Sequence, residues 1–249
     1  LWSSTVDKHN GIEGDAVVYG PRDESLYVLI RTASGVLEAF TSHSLGYTWG
    51  EATTAMFLRP RADGTAAALK NPSGPLAVKR VEDANGMRRY LLLFYNKASE
   101  ADCIQTHGNC AEARRNPYWL AGGLESSGTI LWSQPELAVY ADTIAHPSHA
   151  HGGLGYPDIV AARNGSTQRY YIASGDKHVL RLNTLDTTLV EDLWRQATLR
   201  DLVPGALIEH TSFTRPTNFS LGAALPDLTS GGGFSLELSF TLAKLSGPR

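Results

Sequence analysis

Short stretches of strand character recur along this chain, and each is cut off by a turn signal before it can lengthen. Alternating or continuous apolar residues mark candidate strands at 15–19, 26–32, 36–42, 76–81, 89–96, 118–124, 129–133, 156–162, 169–174 and 178–182. Between them stand Gly20-Pro21-Arg22-Asp23, Ala33-Ser34-Gly35, Asp83-Ala84-Asn85-Gly86, Ser126-Ser127-Gly128 and Arg163-Asn164-Gly165-Ser166. The 24 glycines and 12 prolines suit tight turns and would interrupt long helices. A loose repeat emerges of a strand, a turn, an aromatic-rich strand and a third strand. It reads 15–18, 26–32 and 36–42; then 76–81, 89–96 and 118–124; then 156–160, 169–174 and 178–182. Such a repeat predicts an all-β fold made of blade-like antiparallel units rather than a sandwich.

The most specific turn is Ser42-His43-Ser44-Leu45-Gly46-Tyr47-Thr48-Trp49, just after two of these strands. Ser44 is short enough to bond the turn amides, Gly46 supplies a positive φ, and Trp49 is expected to bury its ring under the turn. A weaker turn of the same kind is Glu125-Ser126-Ser127-Gly128-Thr129-Ile130-Leu131-Trp132. One helix interrupts the strands, near 184–198. Leu185, Leu189, Val190, Leu193, Trp194 and Ala197 share a face at helical spacing, with Asn183 or Thr184 as cap and Asp186 in the first turn. Beyond residue 201, Pro204, Pro216, Pro226 and Ser230-Gly231-Gly232-Gly233 read as a loop-rich exit. Then Phe234, Leu236, Leu238, Phe240 and Leu242 alternate with polar residues as one half-buried strand.

Charge excludes some partners. With 22 basic and 25 acidic residues the net charge is −3, which leaves no basic footprint for nucleic acid and no polybasic membrane patch. No apolar run is long enough to span a bilayer. Cys103 and Cys110 bracket a polar, Gly-containing loop, so a local disulfide is expected, with two free thiols as the alternative. No metal and no cofactor are expected: His107 lies between the cysteines, but no second ligand pair has suitable spacing. Asn164-Gly165-Ser166 and Asn218-Phe219-Ser220 are glycosylation sequons compatible with a secreted protein, whereas Pro72 blocks Asn71-Pro72-Ser73. Hydrophobic patterning starts at once from Leu1 and a good strand stands near the other end, so a fragment of a longer, monomeric protein is expected.

The pattern Ser-x-Ser-x-Gly-x-Thr-Trp at 42–49 resembles the Asp-box of sialidase-type β-propellers, with Ser44 where the box carries Asp. The box is a structural turn between the outer strands of a blade. Leu26-Tyr27-Val28-Leu29-Ile30-Arg31-Thr32, Lys70-Asn71-Pro72-Ser73, Arg115-Asn116-Pro117-Tyr118-Trp119-Leu120-Ala121-Gly122-Gly123 and Gly155-Tyr156-Pro157-Asp158 are similar to blades of the same neuraminidase superfamily, over about residues 10 to 200. The resemblance implies a partial propeller over 1–229. Residues 230–249 would be a linker and a first strand resembling a laminin-G or concanavalin-like sandwich, or else the closing strand of the propeller. It further implies hydrolysis of terminal acidic sugars, with an arginine cluster, a Tyr–Glu nucleophile pair and an Asp acid/base.

That set has a clear chemistry. A planar guanidinium grips the sugar carboxylate bidentately, and a neutral Tyr nucleophile avoids repelling it while a Glu takes its proton. By the resemblance, Arg31, Arg115 and Tyr118 fall to substrate binding, Tyr156 is the nucleophile, Glu13 or Glu38 its partner, and Asp158 or Asp7 the acid. Each has a plainer alternative: Arg31 paired with a neighbouring carboxylate, Arg115 a solvated charge, Tyr156 a packed aromatic, Glu13 and Glu38 surface residues. A rival enzyme reading rests on His9 in Asp7-Lys8-His9-Asn10 and on His146, His149 and His151. His9 or His151 with Tyr156 and Arg31 would suit a propeller lyase that abstracts the proton α to a uronate carboxylate. A third reading is a propeller that binds glycan or protein without turnover.

Overall fold

A computed structural model describes residues 11–32, 35–58, 67–71, 74–96, 117–140, 155–165, 167–176 and 179–196, all within the unit 1–197. The Cys103–Cys110 loop, the sequon at Asn218 and the 230–249 segment lie outside the described residues. Three antiparallel sheets are present among those described. The first is β1 (Gly11–Tyr19), β2 (Ser25–Thr32), β3 (Leu37–Ser42) and β4 (Thr53–Thr54). The second runs β5 (Ala77–Glu82), β6 (Arg88–Phe94), β7 (Tyr118–Ser126) and β8 (Thr129–Trp132), with β9 (Glu136–Val139) on the same edge of β7 as β8. The third is β10 (Tyr156–Asn164), β11 (Thr167–Asp176) and β12 (Val179–Leu185), followed by α1 (Thr187–Arg195). The described residues are thus all-β with one helix, and each unit of the sequence repeat forms its own up-and-down sheet.

The second sheet is the middle layer. Tyr90 to Tyr95 are fully buried in succession because β6 is covered on both faces. Tyr90, Leu92 and Phe94 join Tyr27, Leu29, Leu37 and Trp132 in one core; Leu91, Leu93 and Tyr95 join Ile159, Tyr170, Ile172 and the helix in another. Each such leucine contributes about 1.5–3 kcal/mol by leaving water. No backbone ladder joins the three sheets' first strands, which instead run side by side in one direction. Asp15 accepts from the Val78 amide (2.9 Å) and Lys79 reaches Asp158 (3.2 Å) near their beginnings. Arg88 donates to the Gly20 carbonyl and Arg163 to the Asp83 carbonyl beyond their far ends. The ends where β1, β5 and β10 begin are called the opening ends below, and the others the closing ends.

The turn at 42–49 joins β3 to β4 and works through its serines. Ser44 Oγ accepts from the Thr48 amide (2.8 Å) and meets Thr48 Oγ1 (2.7 Å), while Ser42 Oγ accepts from the Gly46 amide (2.8 Å). Leu45 and Gly46 both take positive φ, 52° and 93°. Trp49 is half-buried rather than buried, and its Cζ2 lies 3.8 Å from where a Cβ on Gly46 would stand. The weaker turn is a two-residue hairpin with positive φ at Ser127 and Gly128, closed by the Ser126–Thr129 pair.

The helix begins later than its spacing suggests. Asn183, Thr184 and Leu185 belong to β12, so Asp186 is the N-cap, its carboxylate accepting from the Thr188 amide at 2.7 Å. Two short strands, β4 and β9, escape sequence reading because Thr53–Thr54 is too short and Glu136–Val139 follows a proline. Buried Val190, Leu193 and Trp194 seat the helix on the middle sheet at Gly122. A Cβ there would stand 2.8 Å from Trp194 Cδ1 and 2.9 Å from Leu193 Cβ.

Gly122→Ala is therefore expected to cost roughly 1–3 kcal/mol by forcing the helix off the sheet. Urea denaturation should show a lower midpoint for this variant. Gly175→Ala is the control, since a Cβ there meets nothing within 4 Å. Equal midpoints for the two variants would count against this packing.

Candidate functional site

The opening ends gather most of the described candidate residues. At the first sheet, Glu13 and Arg31 are register partners on β1 and β2, next to an irregularity between Gly11 and Glu13. Arg31 Nη2 donates to Glu13 Oε2 at 2.5 Å. The arginine side chain is 8% exposed and the glutamate 42%, so the guanidinium is enclosed while the carboxylate rims the surface. An arginine has five N–H donors in a fixed fork. One Nη2 N–H of that fork is given to a carboxylate of the chain itself.

Between the second and third sheets, two phenols converge on one carbonyl. Tyr118 donates to the Gly155 carbonyl at 2.5 Å and Tyr95 at 2.8 Å, their ring centroids 5.0 Å apart. Tyr118 is fully buried, its hydroxyl holding the residue before Tyr156. Tyr95 is held in turn by Asn71, whose Oδ1 accepts from the Tyr95 amide (3.3 Å) and whose Nδ2 donates to the Gly74 carbonyl (2.8 Å). Gly74 is obligatory, since a Cβ there would stand 2.4 Å from the Tyr95 ring. Sequence reading missed this brace. Its only signal was that Tyr95 ends an apolar run and that Asn71 and Gly74 flank a proline.

Tyr156 opens β10, 58% exposed as a residue and, among the described residues, with no hydrogen bond to its hydroxyl. Asp158, two residues on, shares its strand face. Its carboxylate takes Lys79 Nζ at 3.2 Å and the Ile159 amide at 2.8 Å. Among the described residues no hydrogen bond or ion pair joins Glu13 to Tyr156; the structure brings Glu13 to Arg31 instead. His9, His151 and Arg115, with Asp7, lie outside the described residues. Glu38 is half-buried in β3. Among the described residues no group of His, Cys, Asp and Glu could hold a metal, and no helix is long and apolar enough to cross a membrane.

No family model matches the chain, and no curated protein matches its sequence. Solved structures do resemble it. Trypanosoma rangeli sialidase shares 12% identity over 76% of this chain and 25% of its own, with a TM-score of 0.40. The same sialidase in complex with sialic acid shares 10% identity over 70% of this chain and 22% of its own, with a TM-score of 0.37. The chain thus spans about a quarter of the length of these structures.

The buried tyrosines behind the site are neutral. Burial raises the phenols of Tyr27, Tyr90 and Tyr170 well above the usual 10.0, helped at Tyr90 by the Glu125 carboxylate and at Tyr170 by Glu191 and Asp83. These phenols favour the folded state while neutral, so their contribution is whole below the ordinary tyrosine value. It falls as pH rises above that value, because the unfolded chain ionises first. Urea denaturation stepped upward through pH 10 should show stability flat below it and declining above, with phenolate absorbance of the buried set appearing only on unfolding. Tyr90→Phe should reduce the decline. A slope unchanged between wild type and variant would show that Tyr90 is not one of the shifted groups.

Proposed function

We propose that the chain is part of a sialidase-type β-propeller and acts as a glycoside hydrolase on terminal acidic sugars. The observation that carries this reading is the Arg31–Glu13 pair at the opening ends: an enclosed guanidinium aligned by a rim carboxylate. An arginine guanidinium is a planar fork, the shape that grips a planar carboxylate bidentately. The blade assignment is supported by the three meanders with first strands side by side, and by the serine-based turn between β3 and β4. It is supported too by the third sheet, which carries large apolar side chains on both faces: Ile159, Tyr170 and Ile172 are buried on one, while Tyr156, Val160, Leu180 and Leu182 are exposed on the other beside Asp158. In this reading Arg31 binds the carboxylate, Tyr156 is the nucleophile and Asp158 the acid, with Arg115 completing the binding side and buried Tyr118 supporting Tyr156 through Gly155 rather than touching the sugar. The protein is secreted, and residues 1–229 form the propeller portion with 230–249 leading out of it.

One observation favours a second reading, a glycan-binding propeller without turnover. The Tyr156 hydroxyl lacks a base partner among the described residues, and Leu180 and Leu182 lie exposed on its sheet face. Incubating the chain with a sialoside and with a uronate polymer separates the readings. The hydrolase predicts release of free acidic sugar, abolished in Tyr156→Phe while binding persists. Arg31→Ala should weaken binding by several kcal/mol at a desolvated pair. Saturable sialoside binding without product favours the binding module. A new ultraviolet-absorbing unsaturated uronate favours the lyase, with His9 or His151 as base. Loss of binding in Arg31→Ala counts only if that variant keeps the wild-type denaturation midpoint, because Arg31 is also a structural ion pair.

A further inference from the structure

We propose that Asn164 is an acceptor for an asparagine-linked glycan. The chain carries Asn-x-Ser at Asn71, Asn164 and Asn218, and the fold separates the first two sharply. Asn71 is fully buried, bonded to Gly74 and Tyr95, and followed by Pro72. Asn164 is the last residue of β10, paired with Thr167 across a two-residue turn, so it stands at the tip of a hairpin. Arg163, Asn164, Gly165 and Thr167 are all exposed. The Asn164 carboxamide makes no hydrogen bond among the described residues. Gly165 has φ +61°, and a Cβ on it would meet nothing within 4 Å, so the space around the tip is open. The nearest long side chain turns away: Arg163 donates to Gln168 Oε1 (3.2 Å) and to the Asp83 carbonyl (3.1 Å).

The acceptor chemistry is an amide glycosylation. The donor class is an oligosaccharide on a lipid pyrophosphate. Asn164 Nδ2 forms the bond to the sugar C1, the C1–oxygen bond to the pyrophosphate breaks, and the lipid pyrophosphate leaves as the amide loses one proton. The tip is a closing end of the third sheet, opposite the ends that carry Arg31 and Tyr156, so a glycan there leaves those residues uncovered. The inference stands apart from the proposed hydrolase activity and needs only passage through a glycosylating secretory compartment.

The test places the full chain behind a cleavable secretory leader in cultured animal cells, in an Asn218→Gln background that removes the other sequon. Enzymatic removal of asparagine-linked glycans should lower the mass by one core oligosaccharide and convert Asn164 to aspartate in peptide mapping. Asn164→Gln and Ser166→Ala should each abolish the shift while keeping the denaturation midpoint. Chain retained inside the membrane compartment is mapped in the same way. A translocated chain whose Asn164 peptide is wholly unmodified overturns the proposal, as does a shift that persists in both variants.

Discussion

Among the described residues the sheets share no ladder between named strands, and beyond one backbone bridge at Phe57 and Trp132 what joins them is a buried aromatic ring with a bonded polar tip. Trp132 of the second sheet donates to the Tyr27 hydroxyl of the first at 3.3 Å. Tyr19 reaches the Gly128 carbonyl at 2.8 Å, and Tyr170 of the third sheet reaches the Glu82 carbonyl at 3.2 Å. Trp194 ties the helix to the Tyr90 carbonyl at 2.9 Å, and Tyr95 with Tyr118 ties the middle sheet to Gly155. A purely apolar joint would let layers slide, whereas each of these rings is fixed at its far end by a directional bond. The rings supply burial and the tips supply register. The candidate site depends on both, because Tyr156 stands where it does through the bonds on Gly155.

Strand periods and turn residues proved legible, because period-2 patterning and Gly-Asn-Asp chemistry are local. The repeat read as 15–18, 26–32 and 36–42 became β1, β2 and β3, and its two later copies became sheets in the same way. The helix was legible too, but not its start, since β12 extends three residues further than the sequence pattern shows and hands the cap to Asp186. Nothing in the sequence announces the aromatic joints. Their acceptors are mostly main-chain carbonyls, which any residue supplies, so no residue type marks the partner of Tyr19, Tyr170 or Trp194. The double glycine at Gly122 and Gly123 is similar: it reads as a weak strand, yet one lies against Trp194 and the other against Trp132.

At the site the residue types were legible and their pairing was not. Arg31 drew attention as a charge ending an apolar strand, and the structure makes it the partner of a nearby carboxylate, Glu13. Glu13 and Arg31 are opposite in register but 18 residues apart in sequence, a distance fixed only by where the hairpin turns. The site was legible as a list of plausible groups. Which group faces which depends on the stagger of β1 against β2 and on how the sheets stack.

Charged ties and neutral ties hold different parts of the stack. At the closing ends charges are laced together: Asp23 with Arg80 (2.7 Å) and Arg88 (3.2 Å), Asp83 with Arg89 (2.9 Å), and Glu82 with Arg163 (3.7 Å). Apart from the Arg89 pair with buried Asp83, these groups are substantially exposed, so those pairs are weak and open to screening by mobile ions. The opening ends carry charged ties too, Arg31 with Glu13 and Lys79 with Asp158, but the brace beneath Tyr156 is built of neutral hydroxyls and an amide on carbonyls, around Asn71, Tyr95, Tyr118 and Gly155. Ionic strength therefore acts on the molecule unevenly: added salt slackens the turns that carry Asp23 and Arg163 while the brace beneath Tyr156 keeps its shape.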